Sequence, residues 1–220
     1  EYEITAFDEG QYDDCYCESL YLSGENIDKH DNLNKKVEVV NYSAGNHPTL
    51  TAKAQVINMD GSVAWEQQAM LNSNEDTTER CFKLEFPAEV SSAHFIKLWL
   101  YDGENIVSDN FYIRGTEEGN YQAIRQMPKV SLEKQVEIAK SDNGEWSGSL
   151  TIKNPSDTPA LMVRINVIGA EDGDQILPMF YSDNYFSLLP GEEKVVSLNW
   201  KDVDTRGNKA EVVVTGYNVK

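Results

Sequence analysis

From Lys36 onward, apolar and polar positions alternate in short bursts. Lys36-Val-Glu-Val-Val-Asn41, Leu50-Thr-Ala-Lys-Ala-Gln-Val-Ile57 and Phe95-Ile-Lys-Leu-Trp-Leu-Tyr101 have the two-residue period of strands with one face turned to a core. Residues 106–112, 130–138, 146–152, 161–168, 195–200 and 210–217 continue the pattern. Turn residues close each burst: Met59-Asp-Gly61, Tyr101-Asp-Gly103, Asp142-Asn-Gly144, Glu171-Asp-Gly173, Pro190-Gly191 and Arg206-Gly-Asn208. A short helical stretch is expected near Glu117 to Arg125. Many short strands at regular spacing predict an all-β protein of antiparallel sandwiches rather than a βαβ sheet.

The two halves repeat one local pattern. Val37-Glu-Val-Val-Asn-Tyr-Ser43 leads through an extended run to Asp60-Gly61, and Leu150-Thr-Ile-Lys-Asn-Pro-Ser156 leads through another to Asp172-Gly173. Asn and Ser in such a turn can bond nearby backbone, and Asp-Gly is a hairpin signal. The polar, glycine-bearing stretch Arg114-Gly-Thr-Glu-Glu-Gly-Asn120 lies between them. The expected organisation is two tandem immunoglobulin-like antiparallel β-sandwiches, residues 1–115 and 121–220, joined at 114–120.

Length, charge and cysteine usage narrow the function classes. The chain has 220 residues, 40% of them hydrophobic, and a formal net charge of −18. Such an excess of acid argues against a nucleic-acid partner, whose phosphates need Lys and Arg, and against anionic membrane surfaces. No apolar run approaches the ~18 residues of a membrane-spanning helix. The acidic start Glu1-Tyr-Glu3 does not read as a signal peptide, so the chain is expected to be mature or cut from a longer polypeptide. Cys15, Cys17 and Cys81 form no CxxC motif and are expected to be free thiols.

Catalytic signatures are missing. His30, His47 and His94 stand in no HExxH or GxSxG context. The acidic stretch Asp8, Glu9, Asp13, Asp14 and Glu18 lacks the DxDxDG spacing of a calcium loop and reads as a solvated tail or edge. No metal or other cofactor is expected. Ser-Asp-Asn precedes paired aromatics twice, at Ser108 to Asn110 and Ser182 to Asn184. Asp and Asn beside aromatics suit sugar hydroxyls and rings, which makes Tyr181, Asp183, Asn184 and Tyr185 the candidate carbohydrate contacts. The competing reading is an Asx-type turn that steers the aromatics into a core. Trp65, Trp99, Trp146 and Trp200 all fall in strand-like runs, with Trp99 expected in a core.

The segment Leu177-Pro-Met-Phe-Tyr-Ser-Asp-Asn-Tyr-Phe-Ser-Leu-Leu-Pro-Gly-Glu192 cannot be one regular helix or central strand, because of its two prolines. It resembles the C-terminal immunoglobulin-like domain of family 2 glycoside hydrolases of the β-mannosidase and exo-β-glucosaminidase type. Leu150-Thr-Ile-Lys-Asn-Pro-Ser-Asp-Thr-Pro-Ala160 is similar to an early strand and turn of that domain. Ser108-Asp-Asn-Phe-Tyr112 is similar to the end of the preceding sandwich, and Tyr121 to Pro128 to the connector. The resemblance covers residues 36 to about 200. It implies a non-catalytic region of a periplasmic or secreted enzyme that hydrolyses β-mannosides, β-glucosaminides or related β-glycosides with retention. Its partner would be an upstream catalytic (β/α)₈ barrel of the same polypeptide. That barrel needs ~250 residues of alternating strand and helix, which this chain does not contain, so no catalytic residue carries over. Two alternatives remain open: an independent carbohydrate-binding module with polysaccharide as partner, and a cell-surface adhesion or assembly module.

Overall fold

A computed structural model describes residues 2–8, 35–117 and 120–220. Cys15, Cys17, His30 and the acidic stretch from Glu9 to Glu18 lie outside them. The described residues are all-β in architecture, and the chain divides into two compact units, Glu1–Gln126 and Met127–Lys220.

In the first unit, β1 (Tyr2–Asp8), β2 (Lys35–Asn41) and β5 (Thr78–Lys83) form one antiparallel sheet in the order β1-β2-β5. Strands β3 (His47–Asn58), β4 (Val63–Ser73), β6 (Ala93–Asp102) and β7 (Asn105–Gly115) form the other in the order β4-β3-β6-β7. Alternation works as expected on β2 and β3: Val37 and Val39 meet Leu50, Ala52 and Ala54 in a core completed by Ile96, Leu98 and Leu100 of β6. Strand β6 is buried at eight successive positions, Ala93 to Leu100, so its odd-numbered face is covered as well. Trp99 belongs to that second face. Strand β4 carries the strand-like run around Trp65 but loses the alternation beyond it, because it is an edge strand whose middle, Glu66-Gln67-Gln68, is exposed. The expected helical stretch is a 3-10 helix over Gln122–Gln126, and β7 runs on to Gly115 before the chain turns.

The second unit pairs a four-stranded sheet with a three-stranded one. Strands β8 (Glu133–Lys140), β9 (Glu145–Lys153), β11 (Phe180–Tyr181) and β13 (Glu193–Lys201) lie in the order β11-β13-β9-β8. Strands β10 (Ala160–Gly169), β12 (Phe186–Leu188) and β14 (Ala210–Thr215) lie in the order β12-β10-β14. Leu150, Ile152, Val196, Leu198 and Trp200 from the first sheet pack on Val163, Ile165, Val167 and Val212 from the second. Gly148 lets β8 and β9 approach: a Cβ there would stand 1.9 Å from the Glu137 carbonyl oxygen.

The repeated Asn-x-Ser pattern is one structural corner made twice. Asn41 and Asn154 are both fully buried. The Asn41 Nδ2 donates to Gly45 O (3.1 Å) and to Asn74 O across the sandwich (3.0 Å). The Asn154 Nδ2 donates to Thr158 O (2.8 Å) and to Leu188 O (3.1 Å). In both, the following serine donates to the Asn Oδ1 through its hydroxyl at 2.7 Å. The backbone repeats too. Asp76 N–H donates to Asn41 O, as Gly191 N–H does to Asn154 O. Both donors have positive φ, 53° and 77°. A buried carboxamide with all its groups bonded locks the corner, since an unmet partner there would cost ~1–3 kcal/mol.

Candidate functional site

Of the candidate carbohydrate contacts, Tyr181 lies in β11 beside β13, and the chain after it crosses to the edge of β10 that faces away from β14, which Asn184 meets. In the first unit, β3 holds the matching place, and β4 pairs with it from Leu50 to Ile57. In the second unit β12 pairs with β10 only at Ala160 and Val163. Beyond Val163 the edge is sealed by other means. The Asn184 Oδ1 accepts the Ile165 N–H at 2.8 Å, and its Nδ2 donates to Ile165 O at 2.9 Å. Ile176 N–H donates to Val167 O at 3.0 Å. The Tyr181 hydroxyl also meets the Val167 backbone; burial raises its pKa above the ordinary tyrosine value, and this hydrogen bond opposes the rise. The aromatics and prolines of the segment thus serve a crossover that replaces a strand, satisfying backbone groups that water would otherwise have to reach.

The four candidates do not converge. Tyr181 is half-buried and packs on the core. Asp183 makes a 2.5 Å ion pair with Lys194, whose Nζ also stands 5.0 Å from the Phe186 ring centroid. Asn184 is taken up by Ile165. Tyr185 alone points outward, 59% exposed at φ 60°, with the Arg164 guanidinium 6.0 Å from its ring centroid. The other Ser-Asp-Asn copy behaves differently. Ser108 to Asn110 lies inside β7 rather than in a turn, and Asp109 pairs with the buried Lys97.

Other reactive side chains are occupied by the fold. No motif in the sequence pairs a serine with a histidine, yet Ser43 Oγ lies 3.2 Å from His47 Nε2. Ser43 donates its proton to Asn41 Oδ1 instead, so the imidazole is not placed to activate it. His94 is buried, with Nδ1 3.3 Å from Ser91 O and its ring on Phe86. Burial, followed by the nearby Glu38 and Glu79, pushes the Cys81 thiol up to about 12, which keeps it protonated. No group of three His, Cys, Asp or Glu side chains suited to a metal ion occurs among the described residues. The tryptophans are not open platforms. Trp200 and Trp99 are buried, Trp65 packs on the first core beside Phe82, and Trp146 stacks on Trp200 at 6.0 Å. Lys140 covers the Trp146 ring, and its indole N–H donates to Asp202 Oδ1 at 2.8 Å.

Comparison with known proteins places this geometry. The family model of the exo-β-D-glucosaminidase Ig-fold domain matches residues 110–219, half of the chain. An exo-β-D-glucosaminidase of Streptomyces avermitilis is 23% identical over 208 residues, covering 84% of this chain and 23% of that protein. The crystal structure of an exo-chitosanase from Amycolatopsis orientalis superposes with a TM-score of 0.79 at 22% identity, over 86% of this chain and 25% of that one. A β-D-mannosidase from Dictyoglomus thermophilum gives 0.60 at 13% identity, over 99% of this chain and 22% of that one. The chain therefore spans about a quarter of the length of the proteins it matches.

Proposed function

The chain belongs to the exo-β-D-glucosaminidase Ig-fold domain family, and from that membership we propose that it is the non-catalytic β-sandwich region of a larger, retaining family 2-type glycoside hydrolase. Its role is to brace the catalytic barrel of the same polypeptide and to border the substrate cleft. The observation that carries this reading is the coverage: 84% of this chain aligns with only 23% of a relative named for exo-β-D-glucosaminidase activity. The substrate we infer is a β-linked amino sugar, and the enzyme acts in the periplasm or outside the cell. The commitment of Asp183 and Asn184 to Lys194 and Ile165 favours an accessory role over a self-standing carbohydrate-binding module.

The test uses the complete gene product. It should contain a catalytic barrel and hydrolyse a chromogenic β-D-glucosaminide, with NMR showing the β-anomer as first product. A gene product without a barrel, or an α-anomer released first, would overturn this reading.

A further inference from the structure

The outer face of the three-stranded sheet in the second unit carries a surface that the fold itself does not use. On β10, Val163, Ile165 and Val167 enter the core, which leaves Met162, Arg164 and Asn166 on the other side. Thr215 and Val213 of β14 lie beside Arg164 and Asn166. Met162 is 51% exposed and Tyr185 59%. Tyr217, also exposed, donates its backbone N–H to Leu161, the residue before Met162.

Two features set this patch apart. Met162 and Tyr185 both have positive φ, 51° and 60°. For bulky side chains this backbone region costs of order 1–3 kcal/mol and persists only where surrounding bonds impose it. Those bonds are present: Met162 N–H donates to Ser187 Oγ (3.3 Å) and Tyr185 N–H to Asn184 Oδ1 (3.0 Å). At these bends, where β12 parts from β10, the positive φ leaves two large side chains facing solvent. Second, the Arg164 guanidinium makes no ion pair or hydrogen bond among the described residues, in a chain of net charge −18. Its neighbours are the Tyr185 ring and, electrostatically, the Tyr181 side chain. Exposed Tyr and Met around an unpaired Arg is the composition of an interface centre rather than of ordinary surface.

We propose that the Met162–Arg164–Tyr185 face is the docking surface for the catalytic portion of the same polypeptide, which meets Arg164 with a carboxylate. This rests on the functional reading above. The proteins matched by this chain are about four times its length, so most of such a polypeptide lies outside it. A cationic amino-sugar chain is a poor occupant, because Arg164 repels it.

Native methionines supply the probe. The full-length enzyme is treated with dilute peroxide, folded and in urea, and Met162 oxidation is followed by peptide mapping. Docking predicts that Met162 oxidises more than about five-fold slower in the folded enzyme, as expected for a desolvated interface centre, with protection independent of protein concentration. Arg164→Glu should abolish that protection while the enzyme remains folded by circular dichroism. Oxidation slowed about five-fold or less would overturn the proposal. So would protection that disappears on dilution, which would mark a second copy as the occupant. A full-length polypeptide lacking any catalytic domain is recognised beforehand from its sequence, and overturns the functional reading instead.

Discussion

The carboxamide of Asn184 pairs with the backbone of Ile165 as a neighbouring strand would, accepting its N–H at 2.8 Å and donating to its carbonyl at 2.9 Å. This one side chain continues a ladder that β12 abandons after Val163. It also turns the chain so that Tyr185 leaves the sheet while Phe186 packs on the core. A motif whose residue types suit sugar binding is thereby drawn into holding a sandwich edge.

Asn184→Ala should destabilise the second unit by about 2–4 kcal/mol, since two backbone groups lose their partners at once. Thermal or urea unfolding of the variant measures this. An unchanged melting curve would return Asn184 to the ligand-contact reading.

The duplicated corner predicts matched losses in separate places. Asn41→Ala and Asn154→Ala each remove a buried side chain that bonds across its own sandwich. Each should cost about 2–4 kcal/mol. Hydrogen exchange should show increased opening confined to residues 35–115 for the first variant and to 127–220 for the second.

Much of this fold is legible in the sequence. Strands β2, β3, β9 and β10 announce themselves because one face is apolar and the period is two, whereas β6 is an apolar run buried on both faces. The Asn-x-Ser corner can be read because its bonds are local. Strand β4 shows only as the strand-like run around Trp65, because its exposed Glu66-Gln67-Gln68 looks like loop until β3 is seen beside it. The use made of Asn184 is hidden, since it depends on Ile165, far away in sequence and identifiable only once β10 has lost its partner. Nor does spacing show that Asp109, inside β7, serves Lys97.

Gly148→Ala and Gly191→Ala should differ in kind. At Gly148 a methyl group meets the Glu137 carbonyl at 1.9 Å, so β8 must move away from β9. At Gly191 the space is open and only the backbone at φ 77° resists, at a cost of about 1–2 kcal/mol. Gly148→Ala should lose more stability and weaken amide protection along β8, as read by hydrogen exchange.

Acid should loosen the Trp146 end of the second unit through Asp202. Hydrogen bonds from Lys140 first, then from Trp146, hold its carboxyl below the ordinary value of 3.8. A lowered folded-state pKa means that the contribution is fully present above that value and is lost as pH falls through the lower one. Melting temperature should therefore fall below about pH 4, and less steeply in Asp202→Asn. Identical acid limbs would remove Asp202 from the account.

Cys81 should resist alkylation. With its thiol pushed up to about 12 by burial, it is almost wholly protonated at mildly alkaline pH. Iodoacetamide should label it only after unfolding, as mass spectrometry of the Cys81 peptide will show.

Hydrolysis of a chromogenic β-D-glucosaminide by two polypeptides decides whether this chain is, as proposed, a non-catalytic part of a larger glycosidase. The full-length gene product should turn over the substrate, and residues 1–220 expressed alone, folded by circular dichroism, should release none. Turnover by residues 1–220, or an inactive full-length product, would contradict it.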